Sequence, residues 1–257
     1  MGKPAHFGSY ELLEKVAVGG MAEVYRARAP RPGGVSKIVC LKRIHPRLCA
    51  DPAFVDMFIE EARISLALTH GNIIPAFDFG CVDGHYFLAM EYVEGRDLSS
   101  VLGRAQIVSR TFPPDLAAHV VMEVLEGLAY AHGWRDETGR AIDFVHRDIS
   151  PSNVMVSAAG EVRILDFGIA RSALREFKTR TGIIKGKPGY MAPEQAEGKE
   201  VDARTDIYAC GVLLFELLHG ERPTLEETLE PGLAASRCSD DILGEVVDRA
   251  MALDRAG

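Results

Sequence analysis

The chain predicts an α+β fold, and three observations carry that expectation. The first ninety residues set short apolar runs between Gly and Pro clusters, the remainder carries apolar residues at helical spacing, and the change falls near residues 92–97. Mostly strands followed by mostly helices implies two lobes with a cleft between them. Of the 257 residues, 47% are hydrophobic, which is enough to bury a substantial core.

Tyr10–Val16, Ala22–Arg28 and Lys37–Arg43 read as strands of a β meander. Asp51-Pro52 then opens a helix with Asp51 as its cap, because Phe54, Phe58, Ile64 and Leu68 recur near helical spacing. Ile73–Phe79 and His85–Tyr92 return to strand character and join at Asp83-Gly84, a hairpin signal. Beyond Gly95 the expectation is helical. Pro113–His132 carries apolar residues at 116, 120, 121, 124, 125 and 128, an amphipathic stripe. Ala203–Leu218 is almost wholly apolar beyond Ile207, as suits a helix buried on all sides. Residues 1–9 read as an N-terminal extension and 10–257 as one domain, with lobes of about 10–93 and 94–257. The sequence contains neither an internal repeat nor a low-complexity tract.

Bulk properties remove several classes. A net charge of −8 and a pI near 5.5 argue against nucleic acid as the main partner, since phosphate backbones need a basic face. Cys40, Cys49, Cys81, Cys210 and Cys238 are odd in number and lack CxxC spacing, so neither zinc nor a disulfide framework is expected. No run approaches eighteen uninterrupted apolar residues, so no membrane segment is expected, and residues 1–9 lack a signal-peptide layout. The expected setting is the cytoplasm.

The most informative stretch is His146-Arg147-Asp148-Ile149-Ser150-Pro151-Ser152-Asn153, with Asp166-Phe167-Gly168 thirteen residues further on. An Asp and an Asn five residues apart in a tight loop can serve one reaction centre. The Asp orients a hydroxyl nucleophile and the Asn amide oxygen takes Mg²⁺, while the second Asp holds metal ions that bridge phosphates. Upstream, Val18-Gly19-Gly20-Met21-Ala22-Glu23-Val24-Tyr25 lies between the first two strands, where small residues let backbone N–H groups approach phosphates. A hairpin turn with two glycines would read the same way. Lys42 ends an apolar strand, and Glu60 and Glu61 on the next helix are both candidates to hold its ammonium.

Taken together these motifs resemble the protein kinase family, in the bacterial form similar to the serine/threonine kinases of eukaryotes. The resemblance covers roughly residues 10–254, and Ala192-Pro193-Glu194 matches the close of the kinase activation segment. It implies that Asp148 is the catalytic base and that Asn153 and Asp166 hold Mg²⁺. The Phe-x-x-Glu-Ala-Arg pattern of the bacterial kinases selects Glu61 to pair with Lys42 at the ATP phosphates. It also implies that Val18, Gly19 and Gly20 cover the phosphates. Val24, Cys40 and Met155 would sandwich the adenine, Met90 would be the gatekeeper, and Glu91 and Val93 would supply the hinge backbone. Asp206 matches the buried helix Asp that braces the catalytic loop. Arg147 implies control by a phosphate on the activation segment, with Thr179 and Thr181 as autophosphorylation sites.

The chain departs from the family pattern at four places: Ala17 and Ala22 replace two glycines, Ser150 replaces a Lys, and Lys187 replaces a Thr. His-Arg-Asp-x-Ser-Pro recurs among bacterial kinases, and Lys185 or Lys187 is a candidate to supply the charge that Ser150 lacks. The family's last helices would extend beyond Gly257, and the Arg that pairs with Glu194 would lie there or be Arg255. The expected activity is transfer of the ATP γ-phosphoryl group to Ser or Thr of protein substrates, with self-association for autophosphorylation in trans. The four departures favour a pseudokinase, a nucleotide-binding scaffold with little catalysis. Intact Lys42, Asp148, Asn153 and Asp166 weigh against it, and the 166–194 segment weighs against a small-molecule kinase.

Overall fold

The structure is a computed structural model that describes residues 5–142, 144–165, 188–230 and 232–252. The chain divides into two compact units; among the described residues, one comprises 5–69 and 74–94, the other 70–73 and the rest.

The first unit is built on an antiparallel sheet of β1 (Ala5–Phe7), β2 (Tyr10–Val18), β3 (Ala22–Pro30), β4 (Ser36–Ile44), β5 (Ala76–Val82) and β6 (His85–Glu91), in the order β1-β2-β3-β4-β6-β5. Residues 5–7 are therefore part of the sheet and not of an extension. Phe7 pairs with Tyr10 across a turn at Gly8 (φ +56°) and is buried against the edge of Phe87. Three residues are too few to show an alternation in sequence. Asp83 and Gly84 both have positive φ, as a tight two-residue hairpin requires. β5 begins three residues later than expected, because Pro75 lacks an N–H to donate to a ladder. Ile73 instead bridges to Ile164 in the second unit.

A short helix, α1 (Pro46–Cys49), leads to α2 (Pro52–Ala67). The Asp51 carboxylate caps α2 by accepting from the N–H groups of Ala53 (3.1 Å) and Phe54 (3.4 Å). Phe54, Phe58, Glu61, Ala62 and Ser65 form its buried stripe, so one acidic residue faces inward with the apolar ones.

The second unit adds α3 (Leu98–Ile107), α4 (Pro114–His132), α5 (Pro193–Ala196), α6 (Ala203–His219), α7 (Leu225–Leu229) and α8 (Asp241–Met251). It also contains a small sheet that the helical reading of this half omits: β7 (Gly95–Asp97), β8 (Val154–Ser157) and β9 (Val162–Ile164). Each of these strands has only three or four residues, too few for a periodic signal. Gly95 is required there, since a Cβ would lie 2.1 Å from the Val156 carbonyl oxygen. α6 is capped by Asp202, closes at left-handed Gly220 and is buried nearly all round, whereas α4 buries Ala117 and leaves Leu116 44% exposed. A continuous apolar cluster joins α3, α4, α6 and α8 with Ile149, Val154 and Ile164 around the site loop.

Candidate active site

In the first unit, strand alternation sorts β4. Val39 and Leu41 enter the apolar cluster with Phe7, Tyr25 and Phe87, which turns Cys40 and Lys42 to the opposite face. Lys42 is 7% exposed, and its Nζ donates to Glu61 Oε1 at 2.8 Å, with Glu61 only 2% exposed. Glu60, one position away, lies on the exposed face and accepts from Arg63 at 2.8 Å, so the ambiguity between the two acids is resolved. A buried ion pair of this kind fixes an ammonium in place, because breaking it strands a charge at a cost of about 3–5 kcal/mol.

Val24 pairs with Lys42 in register, and Cys40 pairs with Met90, which brings three of the expected adenine contacts onto neighbouring strands. Met90 is buried; Val24 and Cys40 are half-buried. The Glu91 N–H donates to the Pro75 carbonyl at 3.0 Å, and Val93 follows the end of β6. Val18 ends β2 at 64% exposure, and Gly19-Gly20 open the turn to β3, closed by Gly19 N–H donating to Ala22 O at 2.9 Å. Below the turn, the Glu23 carboxylate accepts from Lys15 (2.6 Å), Arg43 (2.5 Å) and Tyr25 (2.9 Å), which holds it down at about 2.

In the second unit, Asp206 organises the loop that carries Asp148. Its carboxylate accepts from the backbone N–H groups of His146 and Arg147, each at 2.8 Å, and from His132 Nε2 at 2.8 Å. Asp206 is fully buried in the first turn of α6, but the cap is Asp202, so the role of Asp206 is to brace the loop. Arg147 is held at φ +66°, a left-handed conformation that costs a side-chain-bearing residue roughly 1–2 kcal/mol. Gln195 reaches back from α5 to donate to the Arg147 carbonyl at 2.8 Å.

The His146 ring donates from Nε2 to the Leu165 carbonyl (3.1 Å) and accepts at Nδ1 from the Asp148 N–H (3.3 Å), a pair of bonds that defines its tautomer. Asn153 Nδ2 donates to Asp148 Oδ2 at 2.6 Å and to the Asp148 carbonyl at 2.8 Å. That commits the amide nitrogen and leaves Oδ1, beside the Ser152 hydroxyl at 3.4 Å, as the hard oxygen suited to Mg²⁺. Asn153 O also accepts from Leu165 N at 2.8 Å, so both backbone groups of Leu165 are anchored in this loop. Ser150 is completely buried, and Met155 is half-buried on β8. Among the described residues no three acidic, His or Cys groups are gathered so as to hold a metal ion. Asp166, Thr179, Thr181, Lys185, Lys187 and Arg255 lie outside the described residues. Thr205 donates to the Glu194 carboxylate at 2.6 Å. His132 and Gln195 were not legible as site residues, since neither stands at a fixed spacing from the motif it supports.

The family model for the protein kinase domain matches residues 10–239. The chain belongs to the protein kinase family. Its relatives include the tyrosine-protein kinase MasK of Myxococcus xanthus, 44% identical over 86% of this chain and 34% of MasK. The serine/threonine-protein kinase PknB of Mycobacterium leprae is 34% identical over 89% of this chain and 35% of PknB. The chain thus spans about a third of the length of these two curated relatives. The crystal structure of the PknI kinase domain of Mycobacterium tuberculosis superposes with a TM-score of 0.74 at 29% identity, covering 99% of this chain and 92% of that one. The antiparallel sheet with α2 and the helical second unit are therefore the kinase fold, and family membership implies ATP and a divalent metal.

Proposed function

We propose that the chain transfers the γ-phosphoryl group of ATP to Ser or Thr hydroxyls of proteins, and that it is a working kinase domain and not a pseudokinase. The observation that carries this reading is the Asp148–Asn153 arrangement. A single side-chain amide nitrogen pins the carboxylate through Oδ2, which leaves the amide's own oxygen as the hard atom that a metal would use. Asp148 accepts the proton of the substrate hydroxyl as the nucleophile forms. Lys42, held by Glu61, aligns the α and β phosphates, and the Gly19-Gly20 turn covers them. Val24, Cys40, Met90 and Met155 would each contact the base, and the backbone of Glu91 and Val93 would hydrogen-bond its edge. Asn153 and Asp166 would hold Mg²⁺, which when bound neutralises phosphate charge. Phosphorylation of Thr179 or Thr181, in trans between copies, would bring an anion to Arg147. The free thiols of all five cysteines suit a reducing cytoplasm, and no helix among the described residues is long and apolar enough to cross a membrane.

A tyrosine specificity is the second reading, favoured by the name of the relative at 44% identity. Incubation with Mg²⁺ and labelled ATP, followed by phosphosite mapping, separates the two: phosphate on Ser and Thr, Thr179 or Thr181 among them, supports the first. Asp148→Asn should remove transfer while leaving nucleotide binding within about twofold, because the carboxylate acts on the hydroxyl. Wild-type turnover by that variant would dismiss Asp148 as the base, and label confined to Tyr would establish the second reading.

A further inference from the structure

The turn between β2 and β3 is not left to itself. The His45–Arg47 segment after β4 takes all three of its successive carbonyl groups. The His45 N–H donates to Met21 O (3.0 Å), His45 Nε2 donates to Gly19 O (2.9 Å), and the Arg47 guanidinium donates to Gly20 O (3.0 Å). In a planar trans peptide the carbonyl and the N–H of the same unit point in opposite directions. Drawing the Gly19 and Gly20 carbonyls towards His45 and Arg47 therefore aims the Gly20 and Met21 N–H groups the other way. Among the described residues neither N–H has an acceptor, whereas the Gly19 N–H is spent on Ala22 O. Two successive amides aimed to one side make a cradle for an anion.

The glycines themselves do not dictate this shape. Neither Gly19 nor Gly20 has a positive φ, and a Cβ on Gly20 would meet nothing within 4 Å. What smallness gives at Gly20 is close approach from outside the chain. The base of the turn is fixed independently, by Lys15 and Arg43 on Glu23, with Glu23 opposite Val18 in the ladder.

We propose that His45 and Arg47 are positioning residues for the phosphates of ATP, and that they set the cradle where Ala17 and Ala22 stand in place of the family's glycines. The proposal rests on the kinase reading above. Both residues act through the turn and leave the base pocket alone, so their loss should be felt by phosphate-bearing ligands only.

The test compares wild type, His45→Phe, Arg47→Met, the double variant and Arg47→Lys. The affinities for ADP and for adenosine in Mg²⁺ are measured by calorimetry, and the KM for ATP and kcat by initial rates. Each bond of ordinary strength corresponds to roughly a two- to tenfold change in affinity. The double variant should therefore bind ADP about tenfold more weakly and show a similar rise in KM. Adenosine affinity should hold, kcat should stay within about twofold, and Arg47→Lys should recover most of the loss of Arg47→Met. Equal losses for ADP and adenosine would mark His45 and Arg47 as supports of the sheet and overturn the proposal, as would unchanged ADP affinity in the double variant. A wild-type chain that neither binds ADP nor transfers phosphate would instead sink the kinase reading, and this proposal with it.

Discussion

Glu60 and Glu61 differ by about 100° of helix rotation, and that angle separates a surface carboxylate from one that fixes a lysine. Glu61 falls on the stripe of Phe54, Phe58 and Ala62 and meets Lys42, while Glu60 faces solvent and Arg63. Glu61→Gln keeps the hydrogen-bond acceptor and removes the charge, so Lys42 loses its fixed place. kcat/KM for ATP should fall roughly 100-fold, the scale of a small misplacement at a reacting centre. Glu60→Gln should change it by less than about twofold, since an exposed i,i+3 pair is worth only a few tenths of a kcal/mol. Steady-state kinetics of the two variants side by side decide the matter, and equal losses would remove Glu61 from its role. The Lys42–Glu61 and Asp148–Asn153 contacts were legible, the first from strand and helix patterning and the second from a spacing of five residues in a tight loop. His132 was not: its bond to Asp206 spans 74 residues of sequence and leaves no local trace.

At the scale of elements, legibility followed length. α2 announced itself through Asp51-Pro52 and four turns of pattern, and α6 through an apolar run too long for a strand. β7, β8 and β9 did not, though together they carry Asn153 into its place: β8 begins at Val154, directly after it. Their packing depends on one absence of a side chain. Gly95→Ala places a methyl 2.1 Å from the Val156 carbonyl oxygen, so the β7–β8 pair must separate. The variant should lose roughly 2–3 kcal/mol of stability in denaturant titration. Stability unchanged to within about 0.5 kcal/mol would show that the β7–β8 contact can open without consequence. The buried stripe of α4 starts at Ala117 and not at Leu116, since Leu is the more apolar of the two neighbours but its position faces water.

The molecule as a whole has two compact units, each with its own apolar cluster, and neither cluster is closed by a disulfide. Its response to ligand is therefore a direct measure of the proposed chemistry. A Mg²⁺ complex of a non-hydrolysable ATP analogue at 100 times its Kd should add about 2.7 kcal/mol to stability and raise Tm by several degrees. Lys42→Met should blunt that rise at the same ligand concentration, while Asp148→Asn should retain it. A Tm indifferent to the nucleotide would contradict the proposed function directly. The two-part organisation was legible as a change from strand to helix patterning, but the assignment of residues 70–73 to the second unit was not. Asn72 is held there by Glu123 (2.6 Å) and Val162 (3.0 Å), contacts made across 51 and 90 residues.

Arg147 shows how the loop is kept under tension. Glycine would take φ +66° without steric cost, whereas a residue with a Cβ carries roughly 1–2 kcal/mol of strain there. Its backbone is gripped on both sides, the N–H by the Asp206 carboxylate and the carbonyl by the Gln195 amide. Two side chains from separate helices thus meet at one residue, and the direction in which the chain enters Asp148 is set by both.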